Sequence, residues 1–480
     1  HRDLHSFPTR RSSDLGWDSG YAIAVDSEGC AYVTGYTEDS GTDMVTTGGV
    51  IDTTINGFND VFVCKLSADG SSLEYSTFLG GSMMDYAYNI AVNALGCVYV
   101  TGITEDYTLD FPTTSGVINQ NHNGDFDIFI AKINPTGTNL EYSTFLGSAA
   151  NDYVEGLAVD EIGNAYITGY TNQGTFPTTL GAMNETINGG YDAYVCKINP
   201  TATTLIYSTF IGGAASDYAL DIAIDNNNCT YITGYTSSDN FPITSGCIQD
   251  HRVNNEEVFI CKLNNAGTGL EYSTYLGEWG YEHGDNIAVD PMGCAYVTGY
   301  TISTFFPTTP GAYDTSIGGN DDVFLSKINP TGTELAYSTF LGGTSLDHPD
   351  AIDIDNEGCV YIAGVSFSTE YPTTTGVINE TLNGNSDGVV SKIKIETDLL
   401  PSADFSTSST KITKGGSIQF TFTGSTGNNP AGFQWKFEDN EGNSTEMNPT
   451  HKYETVGSFT AKLTVTDKDG DVATGSVEVT

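Results

Sequence analysis

Short runs rich in Val, Ile, Tyr, Phe and Thr recur along the chain, bounded by Gly, Asn, Asp and Pro. Such runs read as β-strands, because branched and aromatic side chains pack well on a pleated surface while the bounding residues favour turns. Apolar and polar residues alternate only weakly within the runs, as expected of strands covered on both faces. Four runs make one unit: Tyr21–Asp26, Ala31–Thr37, Asp60–Leu66 and Leu73–Gly80. The Gly of the second run returns at Gly35, Gly102, Gly169, Gly234, Gly299 and Gly364, in steps of 67, 67, 65, 65 and 65 residues. The fourth-run phrase YSTFLG starts at Tyr75, Tyr142, Tyr207 (as YSTFIG), Tyr272 (as YSTYLG) and Tyr337. Four short strands per unit, six times over, predict a β-propeller of six four-stranded blades.

The turn between the first and second runs follows Asp-x-x-Gly, as in Asp26 with Gly29 and Asp290 with Gly293. An Asp side chain caps such a turn and Gly supplies its positive φ. Asn93 in place of Asp and Asn228 in place of Gly keep the same chemistry. These Asp are therefore read as turn structure. The sixth unit supplies strands at 351–355, 360–366 and 388–395 but no YSTFLG phrase. One closing strand is missing, so an incompletely closed ring, or a natural protein with more blades, is expected.

Composition sharpens this picture. Of 480 residues, 55 are Gly, 28 Tyr and 23 Phe, which suits an all-β chain with many tight turns. The 61 Asp and Glu against 17 Lys and Arg give a net charge of -44. That charge repels phosphate backbones and anionic lipid, so nucleic acid and membrane insertion are set aside as partners. Divalent cations and neutral or cationic polymers remain. Residues 1–15 hold three of the four Arg, Arg2, Arg10 and Arg11. The segment resembles a translated sequencing adapter and is set apart from the fold. The natural N-terminus, with any export signal, is expected to have been lost there.

Two acidic positions recur in all six units. The first comprises Asp18, Asp85, Asp152, Asp217, Glu282 and Asp347; the second comprises Asp60, Asp127, Asp192, Glu257, Asp322 and Asp387. A position filled alike in every blade is read first as structure, with a ring of carboxylates holding a hard cation such as Ca2+ as the functional alternative. A Lys follows the second acid by five residues in each unit, from Lys65 to Lys392, and is expected to pair with a neighbouring acid. Eight of nine Cys fall at two repeat positions. Cys30 is expected opposite Cys64, and Cys229 opposite Cys261, though as small buried side chains and not as a designed bridge. No Cys-x2-Cys pair, nucleophile elbow, His-Glu-x-x-His or phosphate-cradling loop occurs, so no catalytic residue is nominated.

The connections from second to third strand exceed twenty residues and share a face with those leading to the next unit. That face is the expected binding surface. One stretch there breaks the repeat: Glu278, Trp279, Gly280, Tyr281, Glu282 and His283, where unit four has Gly213-Ala-Ala-Ser216. Trp279, Tyr281 and His283, with Trp17 before the first acid, are the candidate ligand-binding residues, since exposed aromatic rings stack on sugars.

The phrases DSEGCAYVTGYT, FPTT (Phe111–Thr114, Phe176–Thr179, Phe306–Thr309) and LEYSTFLGG resemble the bacterial β-propeller repeats called SBBP repeats, across about residues 16–397. Residues 398–402 read as a linker. Residues 403–480 resemble a PKD domain, an immunoglobulin-like β-sandwich, through Trp435–Asn440, Asn448–Tyr453, Gly457 and Leu463–Asp467. Lys436 and Glu438 stand where that family has Asp and Gly, which argues against a metal site in that turn. The resemblance implies a secreted or surface-attached bacterial protein and no enzyme. The expected function is adhesion to, or binding of, an extracellular polymer such as a polysaccharide, or a surface protein. A propeller-based polysaccharide lyase or glycosidase and a structural surface-layer component are the alternatives.

Overall fold

The computed structural model describes residues 18–38, 44–105, 107–253, 255–395, 401–426, 431–439, 442–466 and 472–480. The chain is all-β, with no helix among the described residues. It divides into two compact units, at Ile393/Lys394.

The first unit is built of six consecutive antiparallel sheets, the blades of a propeller. In blade one the strands Asp18–Val25, Ala31–Thr37, Asp60–Leu66 and Leu73–Leu79 lie in sequence order. Blades two to five repeat this order. The first strand starts three residues earlier than its apolar run suggests, at the repeated acid, and carries a bulge between Gly20 and Ala22. Gly35 sits across from that bulge, where a Cβ would fall 1.8 Å from the Ser19 carbonyl oxygen. Gly102, Gly234 and Gly299 meet the same constraint, which is why this Gly marks the period of the sequence.

Each first strand packs on the first strand of the next blade. The apolar core is split accordingly into clusters that each join two neighbouring blades. One such cluster unites Tyr99, Ile130 and Tyr142 of blade two with Ile167, Tyr194 and Phe210 of blade three. The phrase Phe-Pro-Thr-Thr docks the long connection onto its own blade. Phe176 is buried against Tyr194, and Thr179 exchanges hydrogen bonds with Ser208.

Blade six has three strands, Asp347–Ile354, Cys359–Ser366 and Asp387–Lys394, and no fourth among the described residues. Its third strand alternates between half-buried and exposed, where the third strands of blades two to five are almost wholly buried. The opposite end is open too: Tyr21, Ile23 and Val25 of blade one are exposed.

The second unit is a two-sheet sandwich. Phe405–Thr407, Ser417–Phe422 and Thr450–Lys452 form one sheet. Asn443–Ser444, Gly432–Lys436, Phe459–Thr466 and Val472–Val479 form the other. Trp435 is fully buried with Phe420, Phe437 and Leu463, and its indole N–H donates to the Glu446 carbonyl at 3.1 Å. Glu438, at the position where a Gly was expected, adopts a φ of 51°. The backbone there keeps the turn that favours glycine.

Candidate binding face and inter-blade acid pairs

Strand order 1-2-3-4 places the long second-to-third connections and the blade-to-blade connections at one end of the first unit. Trp279 and Tyr281 lie there, 64% and 45% exposed. The Ile302 amide donates to the Tyr281 carbonyl, bringing Ile302, 40% exposed, beside them. The position of Tyr281 and its partner across the turn carry Met84 with Glu105, Asn151 with Asn172 and Ser216 with Ser237 in blades two to four. In blades five and six they carry Tyr281 with Ile302 and Leu346 with Phe367, all exposed. At this turn the exposed apolar side chains stand in blades five and six, while blades one to three expose theirs on the long connections, at Phe58, Tyr107, Leu109 and Leu180. Trp17 lies outside the described residues.

His283 is placed differently from its two neighbours. Its ring lies 3.8 Å from that of Tyr235 at an interplanar angle of 4°, with Tyr300 at 4.8 Å on another side. The Tyr300 hydroxyl is 2.8 Å from Nδ1, and Nε2 is 2.9 Å from Glu256 Oε2. Burial holds the imidazole below its ordinary pKa against the pull of Glu256. His283 thus belongs to a hydrogen-bonded Tyr–His–Glu group, its ring packed against Tyr235 and Tyr300, while Trp279 and Tyr281 stay exposed. His348 repeats part of the arrangement, stacked on Tyr300 at 4.5 Å with Nε2 3.3 Å from Asp321 Oδ2. Sequence reasoning missed Glu256, Tyr300, His348 and Asp321. Aligned by repeat, their columns show the signal: Tyr86, Tyr153, Tyr218, His283, His348, and Asn59, Phe126, Tyr191, Glu256, Asp321.

The repeated acids meet in pairs across neighbouring blades. Asp85, Asp152, Asp217, Glu282 and Asp347 are at most 1% exposed, and each meets the second acid of the preceding blade. The pairs are Asp60 with Asp85, Asp127 with Asp152, Asp192 with Asp217, Glu257 with Glu282 and Asp322 with Asp347. In each, both side chains come within 3.1 Å of the point where a Cβ would stand on the intervening Gly80, Gly147, Gly212, Gly277 or Gly342. Asp18, exposed at the open end, stands apart. The pair is Asp with Asp at four junctions and Glu with Glu at the fifth.

Backbone amides hold these carboxylates in place. Asp60 accepts from Asn56 and Gly57 of the Asn-Gly turn at 3.0 and 3.1 Å, and Gly81 donates to Asp85 Oδ2 at 2.7 Å. Burial pushes Asp60, Asp127, Asp192 and Asp322 up to about 6, with the facing acid adding to the shift at the last three. Burial and then Glu257 push Glu282 up to about 8. Desolvation and a like charge both oppose ionisation.

The six Lys have a different partner from these acids. Each Nζ lies 4.8–5.3 Å over the ring of the second-strand Tyr, from Tyr32 to Tyr361. Lys65, Lys262, Lys327 and Lys392 also pair with the turn Asp, at 3.2–3.7 Å. That Asp caps its turn as expected, with Cys30 N and Tyr32 Oη donating to Asp26 at 2.9 and 3.0 Å. Asn228 takes the glycine role at a φ of 59°. The cysteine pairing expected from sequence does not form: the ladder pairs Ala31 with Leu66 and so sets Cys64 opposite Val33. All nine thiols are free. Asp355, Glu357 and Cys359 are a group of ligand-type atoms within 4.8 Å of one another, inside one of these capped turns.

Comparisons with known proteins agree with the two units. Residues 141–177 match the SBBP family, a beta-propeller repeat, and residues 399–480 match the PKD domain. An uncharacterized WD repeat-containing protein of Acanthamoeba polyphaga mimivirus is 29% identical over 157 residues, 30% of this chain and 11% of that one. The chain thus spans about a tenth of this curated relative. Among solved structures, a protein of unknown function from Dyadobacter fermentans aligns at 9% identity and a TM-score of 0.38, over 75% of this chain and 92% of that one. The extracellular domain of a hybrid two-component system of B. thetaiotaomicron aligns at 9% identity and a TM-score of 0.33, over 98% of this chain and 57% of that one. The chain carries a β-propeller repeat of the SBBP kind and, after it, a PKD domain.

Proposed function

We propose that the chain is an extracellular or cell-surface binding protein that holds a polysaccharide or other surface polymer on the long-loop face of its propeller. The coarser part, an extracellular surface-type protein, fits a propeller followed by a PKD domain. The observation that supports the finer part is the exposure of Trp279 and Tyr281 with Ile302 beside them, at a turn where blades two to four carry no exposed large apolar side chain. Two rings at such a sector supply the apolar faces on which pyranose rings stack, and Trp and Tyr are the side chains that most often dominate a binding site. The acidic surface favours a neutral or amine-bearing polymer over a polyanion. Ca2+ is the ion this reading admits, as structure and not as chemistry. The test is a glycan array with the whole chain, Trp279→Ala and Tyr281→Ala. A specific signal lost in both variants is expected; a signal unchanged in both refutes the site.

One observation favours a second reading, a carbohydrate-active enzyme. A phenol hydrogen-bonded to a histidine that is itself held by a carboxylate is a general acid–base relay. Tyr300, His283 and Glu256 are so arranged, beside Tyr281. Cleavage of an array ligand by the whole chain, abolished in His283→Asn, would replace the binding reading with this one.

A further inference from the structure

Four units carry an Asn-Gly turn just ahead of the acid that opens the third strand: Asn56-Gly57, Asn123-Gly124, Asn188-Gly189 and Asn383-Gly384. Each Asn is exposed. In every case its own backbone amide donates to Oδ2 of that acid, at 3.0, 2.7, 2.8 and 2.7 Å in chain order. The glycine amides divide into two kinds. Gly57 N donates to Asp60 Oδ1 at 3.1 Å, and Gly189 N donates to Asp192 Oδ1 at 3.0 Å. Asp127 Oδ1 takes no donor, and neither Gly124 N nor Gly384 N has a hydrogen-bond partner among the described residues. The side chains of Asn56 and Asn123 differ as well. Asn56 Nδ2 donates to Asp52 Oδ2 at 2.7 Å, whereas the Asn123 side chain makes no hydrogen bond among the described residues.

This difference bears on a reaction that an Asn-Gly pair undergoes without an enzyme. The glycine nitrogen, once its proton has passed to hydroxide, attacks Cγ of the preceding Asn. The Cγ–Nδ2 bond breaks, ammonia leaves, and a succinimide ring closes. Water then opens the ring at either carbonyl, giving Asp or the isomer whose main chain runs through the former side chain. Glycine permits the approach because it has no Cβ to obstruct it. A glycine N–H given to a carboxylate is held away from Cγ, and the neighbouring negative charge opposes loss of its proton. We propose that Asn123 and Asn383 are sites of spontaneous deamidation and isomerisation, and that Asn56 and Asn188 are protected from it by the acids that pair between blades. The two reactive sites differ in consequence. Asn123 N holds Asp127, which faces Asp152 across the junction of blades two and three. The isomer adds a main-chain carbon at that point and loosens the junction. Asp387 belongs to none of the five junction pairs, so a change at Asn383 leaves the junctions as they are. This goes beyond the glycan reading and stands or falls separately from it.

The experiment ages the whole chain in mildly alkaline buffer and samples it over weeks. Peptide mapping by mass spectrometry reads the mass gained when an amide becomes an acid, and fragmentation distinguishes the two isomers. Conversion at Asn123 and Asn383 several-fold faster than at Asn56 and Asn188 is expected, with a propeller melting transition that falls as Asn123 converts. In denaturant the four rates should converge, because the dipeptide is the same. Asn123→Ser removes the amide carbon and keeps a short polar turn residue, so it should age without loss of its transition. Asn383→Ser should age as the parent does. Asp60→Asn removes the charge that holds Gly57 N–H and should speed conversion at Asn56; if it does not fold, Asp192→Asn is read in the same way at Asn188, and the four rates of the parent decide in any case. Equal rates at the four sites of the folded chain, or faster conversion at Asn56 or Asn188, overturn the proposal. A transition that falls as far in aged Asn123→Ser as in the parent overturns the link to the junction.

Discussion

The repeated lysine offers a stringent check on how the blades are held together, because one position samples a range of burial. Lys262 is 10% exposed, its Nζ 3.2 Å from Asp225 Oδ2, 3.1 Å from Glu271 Oε2 and 4.9 Å over the Tyr231 ring. Asp225 is 7% exposed. Lys392 makes the equivalent pair with Asp355 at 3.3 Å and the equivalent ring contact at 4.8 Å, yet is 50% exposed. Replacing Lys262 with Met keeps the stem over the ring and removes the charge. Breaking a buried pair from one side costs about 3–5 kcal/mol, because the other charge stays buried. Asp225 keeps donors in Asn227 N, Cys229 N and Tyr231 Oη, which places the loss at the lower end, about 3 kcal/mol. The solvent-screened pair at Lys392 should cost far less to break. Urea unfolding followed by tyrosine near-UV circular dichroism measures both. Asp225→Asn added to Lys262→Met should recover part of the loss. Equal costs at the two lysines, or a double variant worse than the sum of the singles, would refute the account.

Other outcomes follow from the same contacts. Without divalent ions, the propeller should lose stability as pH rises from 5 to 8. The junction acids raised to about 6, and Glu282 raised to about 8, stabilise the fold only while they hold protons more tightly folded than unfolded. Chelator-treated protein melted at a series of pH values tests the sign, and a transition that climbs across this window contradicts it. Burial pushes the thiols of Cys64, Cys196 and Cys261 up to about 12, so they should stay unreactive to a thiol reagent in the folded chain at pH 8. Half-exposed Cys247 should react first. Trp435→Ala should cost about 3–5 kcal/mol and unfold the C-terminal sandwich, seen by calorimetry as loss of one transition with the propeller transition unmoved.

Strand positions were legible in the sequence because the physical demands on them repeat. The Gly35 column answers a carbonyl that leaves no room for a Cβ, and the Asp26 column answers a turn whose amides need an acceptor. Both demands are local, so they write a fixed residue at a fixed spacing. The cysteine expectation failed over the register of the ladder: Cys30 ends the turn, Ala31 pairs with Leu66, and Cys64 falls opposite Val33, three residues along. Composition and spacing do not encode that distinction. The acid pairs failed to show for another reason. Asp60 and Asp85 belong to different units when the repeat is cut at the first strand, and they meet only because third and first strands begin at the same end of neighbouring blades. A column filled alike in every blade looked like six copies of one structural role; packing turns it into five two-residue junctions. His283 is the converse case. It sits in a column of Tyr, and its partner Glu256 in a column of Asn, Phe and Tyr. Departures from the repeat at two columns that touch only in space are where a single site can arise on a symmetric scaffold. They become visible once the fold states which columns touch.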